Sequence, residues 1–340
     1  MALGTKARTA STPSLGGAVM EISKAVHGFL LARSANGLSP HTLDDYEHTM
    51  RLFVEFVGEG VELGEIDVTT VRGFLNWLRS GYRPRRASGD TSPLSAKSLR
   101  NHWIALSAFY TWASDELGCE DVMDAIEPPP APVPAVEPFT EEEIRRILRA
   151  CEYTRTAVTN RRVPFAMRRP TALRDRALVL LLLDTGIRAS ECARLTIGDV
   201  DLVAGEVTIR PHGSGAKSRG RHVYLGKAAR RALWRYLASR EDGEDHDAPL
   251  FVSRSGRAMT RHTIRNICRS LGKRTGVHCY PHRFRHTFAI MYLRNGGDVF
   301  TLQRLLGHSS LDMVKRYLAL AKADDAAAHR RASPADNWRL

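Results

Sequence analysis

The chain has 340 residues, more than one domain usually holds, so two folded units are the first expectation. With 43% hydrophobic and 26% charged residues it can bury ordinary globular cores, and 50 Lys+Arg against 37 Asp+Glu leave a formal charge of +13 that draws polyanions, nucleic acid foremost. Its five cysteines are scattered and lack any Cys-x-x-Cys pair, which argues against a disulfide framework or a thiolate zinc site and points to a reducing compartment.

In chain order, residues 1–18 lack the basic start and apolar run of a signal peptide, and their Gly, Ser, Thr and Ala content reads as a disordered leader. A first helix is expected over about 19–35. Ser39-Pro40 reads as an N-cap followed by proline at N1, opening a helix with Tyr46, Met50, Phe53 and Phe56 on one stripe. Helices over about Thr69–Ser80 and Ser95–Leu117 follow, and the helical spacing of Trp103, Tyr110 and Trp112 suits a core better than a base-stacking platform. These elements make a small bundle over 19–127.

Six prolines between Pro128 and Pro138 break helix and strand alike, so 128–138 reads as a linker. Thr140 with Glu143 then forms a capping box, and a second unit begins, spanning 139–325. Helix Glu141–Cys151 leads to an arginine-rich insert, 155–170, with five arginines and no acid. A helix over Leu173–Leu183 contains the longest apolar stretch, Ala177–Leu183, too short to cross a bilayer. After a turn at 184–186 another helix starts near Ser190. Two or three short strands occupy about 198–225, where Val207, Ile209, Val223 and Leu225 alternate with polar residues. The remainder reads as helical to about 331. From Ala248 to Gly297 there are ten Lys/Arg and no Asp or Glu, as a surface facing phosphates requires. Within this run Arg257, Arg261, Arg265 and Arg269 are candidates for DNA contacts, the last three recurring every four residues on one helix face. A solvated face is the alternative.

Phosphodiester chemistry needs a nucleophile, dense positive donors and an acid for the leaving oxygen. Arg188 follows a glycine turn in DTGIRASEC, where its guanidinium could grip phosphate or simply pair with Glu191 or Asp184. In PHRFRHTFA, His282, Arg285 and His286 share one helix face. A zinc pair of histidines is disfavoured because Arg283 and Arg285 lie between them with no Glu nearby. Lys217 sits in the Gly-rich turn GSGAKSRGRHV, with Arg219 and Arg221 beside it. His308 follows a helix-ending glycine in LLGHSS, and Tyr317 lies nine residues later in LDMVKRYLAL, among core positions Leu311, Val314 and Leu318.

Together these pieces resemble the tyrosine recombinases, the phage integrase and Xer-like family, in their order and spacing: Gly-Ile-Arg-x-Ser-Glu, the hairpin lysine, His-x-x-Arg-His, Leu-Gly-His, then Tyr. The resemblance covers about 20–325, GLSPHTLDDY looking like the family's core-binding domain. It implies a mainly α fold with a small antiparallel sheet (α+β), a helical, SAM-like core-binding domain joined by the linker to a catalytic domain in a C-shaped clamp. It also implies Arg188, Lys217, His282, Arg285 and His308 as the catalytic set, with Tyr317 as nucleophile. Lys217 would protonate the leaving oxygen, with Arg219 and Arg221 as its rivals and as lesser DNA-contact candidates. Ile187, Cys192 and Phe284 stand where leucine is usual, and Ser214 where the hairpin often has a further lysine.

The implied reaction cleaves and rejoins double-stranded DNA through a 3′-phosphotyrosyl intermediate, with no metal, ATP or other cofactor. The implied partners are paired DNA sites and a homotetramer on them, with a related recombinase or accessory proteins in addition. The tail 326–340 would dock on a neighbouring subunit. The expected setting is the cytoplasm, at the nucleoid, with no membrane contact. Two other classes stay open: a topoisomerase-like or hairpin-forming enzyme with the same tyrosine chemistry, and a catalytically silent DNA-binding relative.

Overall fold

A computed structural model describes residues 20–86, 89–132, 137–154, 157–159, 162–212 and 220–308, together with 311, 314, 317 and 333; the side chains of 157–159 and 162–165 are excepted. The chain divides into two compact units, Met1–Pro134 and Ala135–Leu340.

The first unit is a bundle of α1 (Ile22–Ala35), α2 (Pro40–Val57), α3 (Val68–Ser80) and α4 (Ala96–Leu117). Local chemistry sets its boundaries. Ser39 accepts a hydrogen bond from the Thr42 N–H with Pro40 at N1, Asp67 accepts from Thr70, and Ser95 from Ser98. Gly118 closes α4 in the left-handed conformation, φ 69°. The helices meet over a dense aromatic core. Phe29 stands edge-on to Phe109 at 5.5 Å, and Phe53 to Phe74 at 5.0 Å. Trp103 is a core residue with a polar handle, its Nε1–H donating to the Ile126 carbonyl. Phe56, expected on the buried stripe, is 38% exposed at its edge.

The second unit contains α5 (Glu141–Glu152), a hairpin of β1 (Ala157–Thr159) and β2 (Arg162–Phe165), α6 (Ala172–Thr185) and the single turn α7 (Ala189–Cys192). A three-stranded antiparallel sheet follows, β3 (Val200–Asp201), β4 (Glu206–Ile209) and β5 (Arg221–Tyr224), with Val207 opposite Val223. Then come α8 (Lys227–Leu237), α9 (Arg261–Thr275), α10 (Pro281–Arg294) and α11 (Val299–Leu306). Helix α6 is apolar on nearly every side, and a helix without a polar face must be buried on all of them. It packs against α5, α8 and α10, with Ala177, Leu178, Val179, Leu181 and Leu182 excluded from solvent.

The mainly α architecture with a small antiparallel sheet is the one the sequence predicts, with three local differences. The arginine-rich insert carries a hairpin where no strand is expected. Residues 238–260 are irregular, not helical, because Gly243, Pro249 and Gly256 interrupt them. Glu137 and Pro138, expected as linker, belong to the second unit: their carbonyls accept from Arg283, and the Phe139 N–H donates to Thr287.

Candidate active site

The site is assembled where two helices stop. Gly186 (φ 62°) ends α6 and Gly307 (φ 64°) ends α11, both left-handed, and each termination leaves carbonyls without partners inside its helix. Arg285, on α10, fills both gaps: Nη1 donates to Gly186 O at 2.9 Å and Nη2 to Leu306 O at 2.7 Å. Its side chain is the largest among the described residues to be fully buried. Gly186 admits no other residue, since a Cβ there would stand 2.5 Å from the Phe288 ring.

The same Nη2 meets His308 Nε2 at 2.8 Å. A guanidinium has only donors, so Nε2 must accept and the imidazole proton sits on Nδ1. That Nδ1–H is buried and has no hydrogen-bond partner among the described residues. Burial, with repulsion from Arg285, Arg188, Arg221 and His282, pushes the imidazole down to about 4. Burial and the nearby Arg188 likewise pull Arg285 down to about 9, which leaves it charged at neutral pH.

Arg188 sits at the start of α7. Its backbone N–H donates to Glu191 Oε2 at 2.7 Å and its Nη1 to Oε1 at 2.9 Å, so the phosphate-gripping and ion-pair readings of this residue are compatible: its side chain stays 32% exposed, with donors to spare. Glu191 also receives Arg221, Nη1 at 3.0 Å and Nη2 at 2.9 Å. Burial works to raise the Glu191 carboxyl, but the hydrogen bonds and charge of Arg221, followed by those of Arg188, outweigh it and hold it at about 2. Arg221 corrects an expectation. It is not a groove-facing hairpin arginine: it is 9% exposed, paired with Glu191 and donating through Nε to Leu305 O, so it cannot reach DNA without breaking a buried pair.

Tyr317 comes close from the far end of the chain. It is 5% exposed, its ring nearly parallel to that of His308 (10°, centroids 6.3 Å apart) and 5.4 Å from that of His286. His286 in turn touches the exposed His282, ring centroids 4.4 Å apart. Burial, then His282 and Arg285, push His286 down to about 4. His286 stands outside the expected catalytic set, although its place four residues after His282 was signal enough to put it on the same face.

Arg188, Arg285, His308, Tyr317, His286 and His282 therefore form one contiguous cluster, underpinned by Glu191. Lys217 and Arg219 lie outside the described residues. Arg261, Arg265 and Arg269 lie exposed along α9, and Arg257 is exposed just before it. Tyr280, the next tyrosine in line as nucleophile, caps α10 with its ring 4.9 Å from that of His278. Arg283 corrects a second expectation. It does not sit between the two histidines; it turns away to Glu143 (2.8 Å) and over the Phe139 ring (4.1 Å). Arg285 points into the core but still repels positive charge at His286, so of the two arginines only Arg283 is removed from the argument against a metal. Among the described residues no group of three or more His, Cys, Asp or Glu could hold a metal ion, and no helix is long and apolar enough to cross a membrane.

Comparison with known proteins gives this cluster its context. Residues 137–324 match the phage integrase family, and residues 30–116 match the phage integrase N-terminal SAM-like domain. Tyrosine recombinase XerA of Thermococcus kodakarensis is 30% identical over 301 residues, 87% of this chain and 91% of that protein. Tyrosine recombinase XerC of Bacillus subtilis is 40% identical over 161 residues, 45% of this chain and 51% of its own. Among solved structures, the Tn1549 transposon integrase in complex with circular intermediate DNA shares the fold, with a TM-score of 0.68 at 18% identity over 92% of this chain and 99% of that one. The chain belongs to the phage integrase family of tyrosine recombinases. These are enzymes that cleave and rejoin DNA strands, and the chain is a site-specific recombinase of that class.

Proposed function

We propose that Tyr317 is the nucleophile and that the residues around it activate one phosphodiester of a double-stranded DNA site. The observation that carries the reading is the stacking of Tyr317 over His308, whose Nε2 is locked to Arg285. Tyr317 Oη attacks phosphorus, the bond to the 5′ oxygen breaks, and a 3′-phosphotyrosyl ester and a 5′-hydroxyl result. The ester conserves the bond energy, so a 5′-hydroxyl of the partner strand can reverse the step. Arg188 and Arg285 balance the charge on the non-bridging oxygens, and the His308 Nδ1–H offers a further donor. Lys217 protonates the leaving oxygen, and His282, with His286 between it and the phenol, assists the transfer of the Tyr317 proton. No step uses a metal or other cofactor, so cleavage should survive EDTA.

DNA as substrate is supported by the relatives: the Tn1549 integrase and a λ integrase dimer are seen bound to DNA, and XerH to its palindromic difH substrate. On this reading the bundle grips the core site, the second unit performs the chemistry, and four copies act on two paired duplexes. A nicked suicide duplex tests it. Wild type should accumulate a covalent protein–DNA adduct, and Tyr317→Phe should bind with equal affinity and form none. Adduct at the wild-type level in that variant moves the nucleophile, with Tyr280 next in line. Recombinant junctions separate strand exchange from topoisomerase-like relaxation.

A further inference from the structure

A trough of about 540 Å³ opens where the end of α5 meets the end of α9, away from the cluster around Arg285. Arg146 and Arg149 project into it from exposed positions on α5, Arg274 comes from α9, and the half-exposed Tyr153 stands at its edge; among the described residues no carboxylate lines it. Its floor is fixed. Arg274 Nη1 donates to Ala150 O at 2.6 Å and its Nη2 to Tyr153 O, while Thr154 and Met167 close the base of the insert hairpin by a reciprocal pair of hydrogen bonds and the Arg169 N–H donates to Glu152 O at the end of α5. Those two guanidinium contacts also cap carbonyls at the negative end of α5, which would otherwise repel an anion. Arg146 and Arg149 form no ion pair among the described residues, and the insert that adjoins them brings five arginines and no acid.

The position of the trough round α9 says what could fill it. At about 100° per residue, Arg274 lies about 140° round the helix from Arg269, so the trough and the Arg261–Arg265–Arg269 row open on different flanks. Exposed Asn266 and Ser270 form the ridge between them. An α-helix is about 10–12 Å across, and the major groove, about 12 Å wide, admits one. A helix lying there has the phosphates of one strand along each flank. The forks of Arg146 and Arg149, with no competing carboxylate and with the charge of Arg274 behind them, suit a phosphate diester, whose two free oxygens match the fork of a guanidinium.

We infer that the trough is a phosphate-binding site that takes the backbone of the strand opposite the one beside the Arg261–Arg269 row, so that α9 is gripped from both sides. This rests on a reading of the exposed Arg261–Arg265–Arg269 row as a DNA contact, with α9 against the duplex, and the experiment separates the two. Arg146→Ala combined with Arg149→Ala alters only exposed side chains of a capped helix, so the fold should persist. Binding isotherms at several salt concentrations should show a log–log slope shallower by about two units, on cognate and scrambled duplexes alike. Ethylation-interference positions lost in this variant should fall on the strand opposite those lost in Arg265→Ala. An unchanged slope, or losses on the same strand as Arg265→Ala, overturns the inference. Inorganic phosphate that binds wild type but not the double variant, with the DNA slope unchanged, would reassign the trough to a free anion and overturn it equally. An Arg265→Ala variant with the wild-type slope and no lost ethylation-interference position would defeat the reading of α9 beneath it instead.

Discussion

The bundle of residues 20–132 and the unit from residue 137 onward bury different kinds of side chain. Among the described residues of the bundle, Thr49 and His102 are the buried polar side chains, and Phe29, Phe53, Phe74, Phe109 and Tyr110 fill the interior. The second unit buries Asp175, Glu191, Asp199, Arg285 and His308 as well as an aliphatic core. An apolar core asks for volume and tolerates exchange among residues of like size. A buried charge asks for a particular partner in a particular place, and losing either member strands the other. The bundle is therefore held by quantities and the site by identities.

Paired substitutions can break that contrast. Glu191→Ala should destabilise the second unit by about 3–5 kcal/mol, because Arg221 is left buried and unpaired. Glu191→Gln, though isosteric, should incur most of the same loss, since the carboxylate answers two guanidiniums. Phe53→Ala should also cost about 3–5 kcal/mol through a cavity, yet Phe53→Leu far less. Denaturant melts of the four variants decide it; a well-tolerated Glu191→Gln would put the two regions on the same footing.

Next come the two guanidiniums proposed above to balance the charge on the reacting phosphate. Arg188→Ala and Arg285→Ala should each lower the cleavage rate at saturating DNA by about 10²–10³, the usual cost of one preorganised donor. Single-turnover adduct formation measures this, and a rate that follows only the loss of stability would reduce both residues to packing.

A smaller effect concerns pH. His308 and His286 ionise near 4 in the folded chain against an ordinary 6.5, so the unfolded chain takes up their protons first as pH falls. The second unit should keep its full stability above pH 6.5 and lose it progressively toward pH 4. Replacing both histidines by Asn should flatten that slope in thermal melts, and an unaltered slope would place its origin elsewhere. The smallest change is at the edge of the bundle: Ser39→Ala removes the N-cap of α2 and should cost about 1 kcal/mol, visible as a lowered melting midpoint.

The same contrast explains what could be read from the sequence. The bundle's helices were legible to within about three residues because caps, prolines and apolar stripes are local signals. In the second unit the motif residues were legible as a set, but their orientations were not. Arg221 reads like any arginine on a basic hairpin until Glu191, thirty positions earlier, is found beneath it. Arg283 reads as a neighbour of His282, yet its contacts lie with Phe139 and Glu143. The insert hairpin was missed for a different reason: β2 contains Pro164, which as a rule speaks against a strand.

Because Arg285 is held by the main-chain oxygens at the ends of α6 and α11, the lengths of those helices act as a ruler for the site. Adding or deleting one residue in α6 would turn the Gly186 carbonyl by about 100° and move it about 1.5 Å along the axis, out of reach of the guanidinium. No change of side chain could restore it. Insertions and deletions are thus forbidden there in a way that substitutions are not, while the hairpin between α5 and α6 supplies no ligand to Arg285 and escapes that constraint. Over evolutionary time, lineages of this fold should differ in length between their helices and keep the same count of residues within these two.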